Sequence, residues 1–145
     1  MFCSFYFGGN SDFSDFKKTI IRLLQDAVTI DTGDNLTLSS EGFTLSIKEG
    51  GHGVMFASED YGIKVKFSFY IDIIASYSNW AYELMAFIGK LLNCLDGDCI
   101  FELNDKPILL RKDNIVIVDD KKLCGTEEFP FHALHLDYQT GDIDG

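Results

Sequence analysis

The chain has 145 residues, of which 46% are hydrophobic and 13 are phenylalanine, so it can build the core of one packed domain and is not intrinsically disordered. Its 12 basic and 23 acidic residues give a formal net charge of -11, which argues against direct binding to nucleic acid or to an anionic membrane surface. The charge either steers the protein towards a basic partner or serves only to keep a phenylalanine-rich domain soluble.

Two features bear on where the protein resides. The first nine residues have neither the basic stretch nor the apolar stretch of a signal peptide. The most apolar segment, residues 80–95, contains Glu83, Lys90 and Asn93, which predicts a buried helix instead of a membrane span. We therefore expect a cytoplasmic protein. The four cysteines form no CxxC pair, so we expect free thiols, with a bridge between Cys94 and Cys99 as the alternative.

The first half of the chain predicts a strand, a helix and three further strands. Residues 4–7 have the alternation of a strand, and apolar residues from Phe13 to Ala27 follow helical spacing, with Ser11 or Asp12 as the N-cap. The further strands are predicted within residues 33–38, where a glycine ends the helix and a strand follows, and at residues 43–48 and 54–57. The glycine-rich residues 49–53 join the last two strands as a flexible hairpin loop.

The second half repeats this order of elements at a shift of 64 residues. A strand at residues 68–71 precedes the apolar helix at 80–95. Strands follow at residues 99–102, 107–112 and 115–118. The shift falls to about 61 residues for the last strand, because the turn before it is shorter. Chance similarity between two amphipathic patterns is the alternative explanation.

These patterns predict an α+β fold in one domain that spans residues 1–145. Two β-α-β-β-β units, at about residues 2–60 and 64–120, form one mostly antiparallel sheet with both helices packed on one face. The helix at residues 80–95 is expected to be the more buried of the two, and residues 123–145 form an acidic C-terminal extension. The other sheet face, or the sheet edges, stays available to a partner.

No motif predicts a catalytic residue, a cofactor site or a metal site. Residues 49–53 lack the Lys-Ser or Lys-Thr of a phosphate-binding loop and join two predicted strands instead of opening a helix. His132 and His135 lie three residues apart, but no cysteine or acid stands at ligand spacing beside them. The acid-rich stretches do not match a calcium-binding loop, so turn chemistry explains them.

The candidate partner-binding residues are acids near the end of the second unit and in the extension: Asp119, Asp120, Glu127 and Glu128. From residue 123 onwards the chain has acidic residues and neither Lys nor Arg. That asymmetry points to a basic partner. Exposed acids of this kind are expected to act mainly on the rate of association and on its salt dependence.

A resemblance to a known family covers somewhat over a third of the chain. It rests on the strand at residues 66–70, the helix end Lys90-Leu91-Leu92, the turn and strand at 97–101, Asn104-Asp105-Lys106 and the strand at 108–112. In these elements residues 64–119 resemble the Sit-type immunity proteins of myxobacterial outer-membrane exchange, which protect bacteria from toxins delivered between neighbouring cells. The family pattern ends in an aromatic residue after the last strand, where this chain has Asp119-Asp120-Lys121-Lys122.

The resemblance implies a cognate toxin as partner and brings no catalytic residues with it. The leading hypothesis is therefore an immunity protein that binds and neutralises a cognate bacterial toxin by protein–protein contact. The alternative is a small acidic adaptor or regulatory module for another basic protein. An enzyme with an unrecognised site is the third hypothesis.

Overall fold

A computed structural model describes residues 1–123 and 129–144 of the chain. The strands are β1 (Phe2–Phe7), β2 (Val28–Asp31), β3 (Asn35–Ser39), β4 (Phe43–Glu49), β5 (Phe67–Ile73), β6 (Cys99–Leu103), β7 (Lys106–Lys112), β8 (Ile115–Val118) and β9 (Gln139–Thr140). The α-helices are α1 (Phe13–Leu23), α2 (His52–Tyr61) and α3 (Trp80–Cys94). Short 3₁₀ helices occupy Asp120–Lys122 and Phe131–Leu134.

The described strands form one sheet in the order β2-β3-β4-β5-β1-β6-β7-β8-β9. Neighbouring strands are antiparallel, except that β9 runs parallel to β8. The predicted α+β class with a mostly antiparallel sheet is therefore confirmed. Strands from both halves of the sequence meet at the centre of the sheet, where β1 pairs with β5 on one side and with β6 on the other.

The main core lies between one face of the sheet and the helices α1 and α3. Cys3, Phe5 and Phe7 alternate along β1 as buried side chains on this face. Phe16 of α1 stacks on Phe67 of β5 with ring centroids 4.0 Å apart. Both helices contribute to the same core cluster, which confirms that these two pack on one face. As predicted, α3 is the more buried helix, since seven of its residues are buried and only two of α1 are.

One predicted strand is wrong. Residues 54–57 belong to helix α2, and α2 packs on the opposite sheet face from α1 and α3. The glycine-rich segment therefore opens a helix, because Gly50 and Gly51 turn the chain with φ of 76° and 102°. Helical spacing brings Val54 and Ala57 onto the sheet, and Gly62 ends the helix in the left-handed conformation.

The structure does not confirm the internal repeat. Both halves follow the order β-α-β-β-β along the chain. In the first half, the last strand, β4, lies beside the central strands. In the second half, the first strand after the helix, β6, lies beside them instead. The helices cross different numbers of strands: α1 leads from β1 past three strands to the edge, and α3 leads from β5 past β1 only. Accordingly, Leu24 caps the end of α1 half-buried, whereas Ile88 lies buried within α3.

The C-terminal residues 129–144 are part of the domain and not an appended extension. Phe131 and Leu134 pack against α3 in the main core, and Gly89 of α3 lies so close to the backbone of Leu134 that a side chain would not fit. The chain then adds β9 beside β8 and ends with Ile143 buried on the other sheet face. This segment thus wraps around one edge of the sheet.

Free thiols are found for Cys3, Cys94 and Cys99, and Cys124 lies outside the described residues. Burial raises the pKa of the Cys3 and Cys99 thiols to about 12, so both are inert core residues. Across the described residues, the structure contains no helix that is both long enough and apolar enough to span a membrane.

Candidate protein-binding surface

The sheet face opposite the main core is covered over only one of its halves. Helix α2 and Ile143 form a second, smaller cluster there, which packs on side chains of β1, β6, β7 and β8. Tyr61 at the end of α2 donates a hydrogen bond of 2.8 Å to Glu102 of β6. Burial raises the pKa of Glu102, and the charges of Asp105 and Asp60 push it in the same direction against the effect of the Tyr61 hydroxyl.

Helix α2 contacts β5 as well as β1, so the part of this face that stays open among the described residues is built mainly by β2, β3 and β4. Hydroxyl side chains project from its inner strands, and we call the surface they form the open half-face: Thr37, Ser39, Thr44, Ser46 and Tyr70. Tyr70 is 50% exposed and stacks on Phe2 of β1 with ring centroids 5.7 Å apart. The surface therefore combines an aromatic platform with small hydrogen-bonding groups and few charges.

The open half-face ends at β2, which is an edge strand of the sheet. All four residues of β2 are exposed, and Val28 and Ile30 are 68% and 59% exposed. Both lie opposite open half-face residues of β3, since Val28 pairs with Ser39 and Ile30 with Thr37. Natural sheets protect such edges with charges, prolines or coverage. Here the unpaired backbone edge of β2 lies beside two exposed apolar side chains, Val28 and Ile30, so a partner strand can add to it.

Strand β2 is held in place from the main-core side. Lys17 of α1 forms a salt bridge of 3.0 Å with Asp31, and the Gly33 backbone N–H donates to the same carboxylate oxygen at 2.9 Å. Both contacts hold the pKa of Asp31 below its ordinary value, and the hydrogen bond from the Gly33 N–H contributes the most. The edge is thereby fixed as a strand while its Val28 and Ile30 side chains stay open.

A groove of about 390 Å³ adjoins the start of β2, between the end of α1 and the first turns of α3. We call it the α1–α3 groove. Its floor is apolar, and its lining includes Leu24, Ala27, Phe43, Ala86 and Phe87. Because Ala27 lines the groove and Val28 begins β2, the groove lies at the start of the exposed edge, on the side of the sheet that packs against α1 and α3.

Acidic residues and tyrosines form the rim of this groove. Asp26, Glu41 and Glu83 stand there with a single cation, Lys90. The Tyr77 hydroxyl donates a hydrogen bond of 3.0 Å to Glu83. That bond raises the pKa of Tyr77, as do partial burial and the charges of Glu83 and Glu41. The groove therefore has a negative rim around an apolar floor.

The four acids predicted to bind a partner do not lie together on an exposed patch that the structure describes. Asp119 is only 1% exposed, and its carboxylate accepts a hydrogen bond of 3.0 Å from Ile143 N–H and pairs with Lys122 at 3.3 Å. Asp119 thus holds the C-terminal segment and has no surface to offer a partner. Asp120 is exposed, and Glu127 and Glu128 lie outside the described residues.

The histidines do not form a metal site in the described part of the chain. His132 lies in the 3₁₀ helix Phe131–Leu134, and His135 follows that helix with a left-handed backbone. Among residues 1–123 and 129–144, no three His, Cys, Asp or Glu side chains are grouped so that they could hold a metal ion.

Sequence reasoning left the other sheet face or the sheet edges open to a partner, but it missed strand β2 and the α1–α3 groove. It extended α1 to Ala27, although α1 ends at Leu23 and β2 begins at Val28. The run Val28-Thr29-Ile30 was the available signal, because three consecutive β-branched residues favour a strand over a helix end. The groove joins segments far apart in the chain, so the pattern within any one element could not reveal it.

No protein-family model matches the chain, and neither the curated proteins nor the solved structures contain a match to it.

Proposed function

We propose that this chain is an immunity protein: it binds one basic bacterial toxin domain in the cytoplasm and neutralises it by protein–protein contact. The net charge of -11 favours a basic partner. The resemblance of residues 64–119 to Sit-type immunity proteins supplies the class of partner. The binding surface is the open half-face together with β2 and the α1–α3 groove.

The observation that carries this proposal is the exposed edge strand β2 beside an uncovered half of the sheet. An edge with two exposed β-branched apolar residues invites pairing with any strand it meets. A partner that adds a strand there forms main-chain hydrogen bonds to β2 and covers Val28 and Ile30, which supplies affinity. The hydroxyl side chains and Tyr70 of the open half-face then supply specific hydrogen bonds and aromatic contact.

Charge and contact have separate roles in this mode of binding. The acidic surface speeds the encounter with a basic toxin domain and makes its rate sensitive to salt. Burial of the apolar edge and of Tyr70 slows dissociation, because desolvated apolar and aromatic groups dominate interface energies. Asp120 follows β8, on the side of the sheet away from β2, and contributes to the first role only through the long-range charge; Glu127 and Glu128 lie outside the described residues.

A co-expression experiment tests the proposal. The product of the gene adjacent to this chain's own is induced in a bacterial host, with and without the chain, and growth is recorded. We expect growth arrest without the chain, restored growth with it, and a 1:1 complex in size-exclusion chromatography. An unrelated basic protein of similar size serves as the control for non-specific charge attraction.

Two outcomes contradict the proposal. Persistent growth arrest while both proteins are soluble and separate excludes an immunity function against that toxin. A stable complex that leaves growth arrested identifies the chain as an adaptor for a basic protein, which is the alternative function.

A further inference from the structure

We propose that the α1–α3 groove receives one arginine side chain of the basic partner. The inference rests on the proposed function, because the partner is the protein that the chain binds through β2. It adds the specific chemical group that the groove recognises and the residues that recognise it.

The shape of the groove suits a single long side chain. Its volume of about 390 Å³ lies near the lower end of the 300–1,000 Å³ range of ligand pockets. Apolar side chains, including Leu24 and Phe87, line its floor. Arginine buries its methylene stem against such a surface and keeps its charged head at the rim.

The rim of the groove carries the complementary charge. None of Asp26, Glu41 and Glu83 forms a salt bridge with a described residue. Lys90 supplies one positive charge against these three negative ones. An incoming cation therefore meets a net surplus of two negative charges at the rim. The charges of Glu83 and Glu41 also contribute, after the hydrogen bond to Glu83 and partial burial, to the raised pKa of Tyr77.

Arginine fits this rim better than lysine does. A guanidinium group donates to two carboxylates at once in a fixed planar geometry, whereas an ammonium group acts as a point charge. Glu83 is already oriented by its bond from Tyr77. Tyr77 and Tyr82 also line the groove, and a guanidinium group stacks on aromatic rings.

The position of the groove ties it to the partner. The residues that line the end of α1 continue directly into Val28, the first residue of β2. An arginine near the end of a chain paired with β2 is therefore within reach of the groove at the start of that strand.

The test uses N-acetyl-arginine amide as the probe, with the intact chain labelled for ¹H–¹⁵N NMR. We expect saturable shifts that are largest for the amides of Leu24, Glu41 and Ala86. N-acetyl-norleucine amide, which has the apolar stem without the charge, should cause much smaller shifts. The variant Glu41→Gln/Glu83→Gln should bind the probe about fivefold more weakly. Glu59→Gln, which removes an exposed acid from α2 on the opposite face, should bind as the unaltered chain does.

Shifts that spread evenly over all acidic surfaces, or equal affinities for the two glutamine variants, would overturn the inference. The probe requires no toxin, so this result is independent of the proposed function. If the toxin is neutralised equally well by Glu41→Gln/Glu83→Gln, the groove assignment fails while the immunity function stands.

Discussion

Asp119 and Asp120 are neighbours of the same residue type with opposite environments. Asp119 is buried and bonded to Ile143 N–H and Lys122, while Asp120 points into solvent. Burial alone would raise the pKa of Asp119, but the Ile143 N–H and the Lys122 ammonium outweigh it and hold the pKa below its ordinary value. Asp119 therefore stabilises the fold, and Asp120 is available for charge steering.

Replacing Asp119 with alanine should destabilise the protein by about 1–3 kcal/mol, because the buried Ile143 N–H loses its acceptor and Lys122 loses its partner. Asp120→Ala should change stability by less than about 0.5 kcal/mol. Urea unfolding at neutral pH measures both. Because the pKa of Asp119 is lower in the folded protein than in the unfolded chain, Asp119 stabilises the fold fully at pH values above the ordinary carboxyl pKa. This stabilisation is lost as the pH falls through the pKa of Asp119 in the folded protein. Equal stabilities of the two variants would contradict this role.

At the scale of single elements, a buried arginine determines how α3 ends. The Arg111 guanidinium on β7 donates to three backbone carbonyls, at 2.7 Å to Leu92 O, 2.7 Å to Leu95 O and 2.6 Å to Gly97 O. These carbonyls lie in or just beyond the last turn of α3, where helical partners are missing. Arg111 thus joins the helix to the sheet and also neutralises the negative end of the helix dipole.

The variant Arg111→Met should lose about 3 kcal/mol of stability, since the carbonyls that Arg111 pairs are left without that donor. Arg111→Lys should recover part of this loss, because an ammonium group cannot reach all three carbonyls at once. Lys112→Met alters the exposed neighbour and is the matched control. Chemical unfolding of the three variants gives the comparison. If Arg111→Met is no less stable than Lys112→Met, the cap is not significant.

Local sequence patterns predicted most helices and strands. They failed where the conformation of one or two residues determines which element forms. Helix α3 followed from its apolar spacing, and Asp12 is the N-cap of α1, accepting from Asp15 N–H at 2.8 Å. Helix α2 was missed because its ten residues contain a short apolar run that fits a strand equally well. Strand β2 was missed because the helical pattern of α1 could be extended over it.

At the scale of the whole molecule, sequence could not give the order of strands or the path of the C-terminal segment. The placement of β1 between β5 and β6 depends on how far each crossover helix reaches, which no pattern within a half encodes. Likewise, the open half-face exists because α2 and Ile143 pack on the side of the sheet formed by β5, β1, β6, β7 and β8. The candidate surface is therefore a property of the assembled sheet.

The central claim is that the chain captures a basic toxin domain through the β2 edge. The dissociation constant of that domain, measured by calorimetry for the unaltered chain and for Val28→Lys/Ile30→Lys, tests it most directly. Both side chains are exposed, so the fold should stay within about 1 kcal/mol of its original stability. Ile115→Lys, which changes an isoleucine on β8 that is 51% exposed, is the control. We predict that the double variant binds at least about tenfold more weakly and that Ile115→Lys binds normally. Equal affinity of all three proteins would contradict the account.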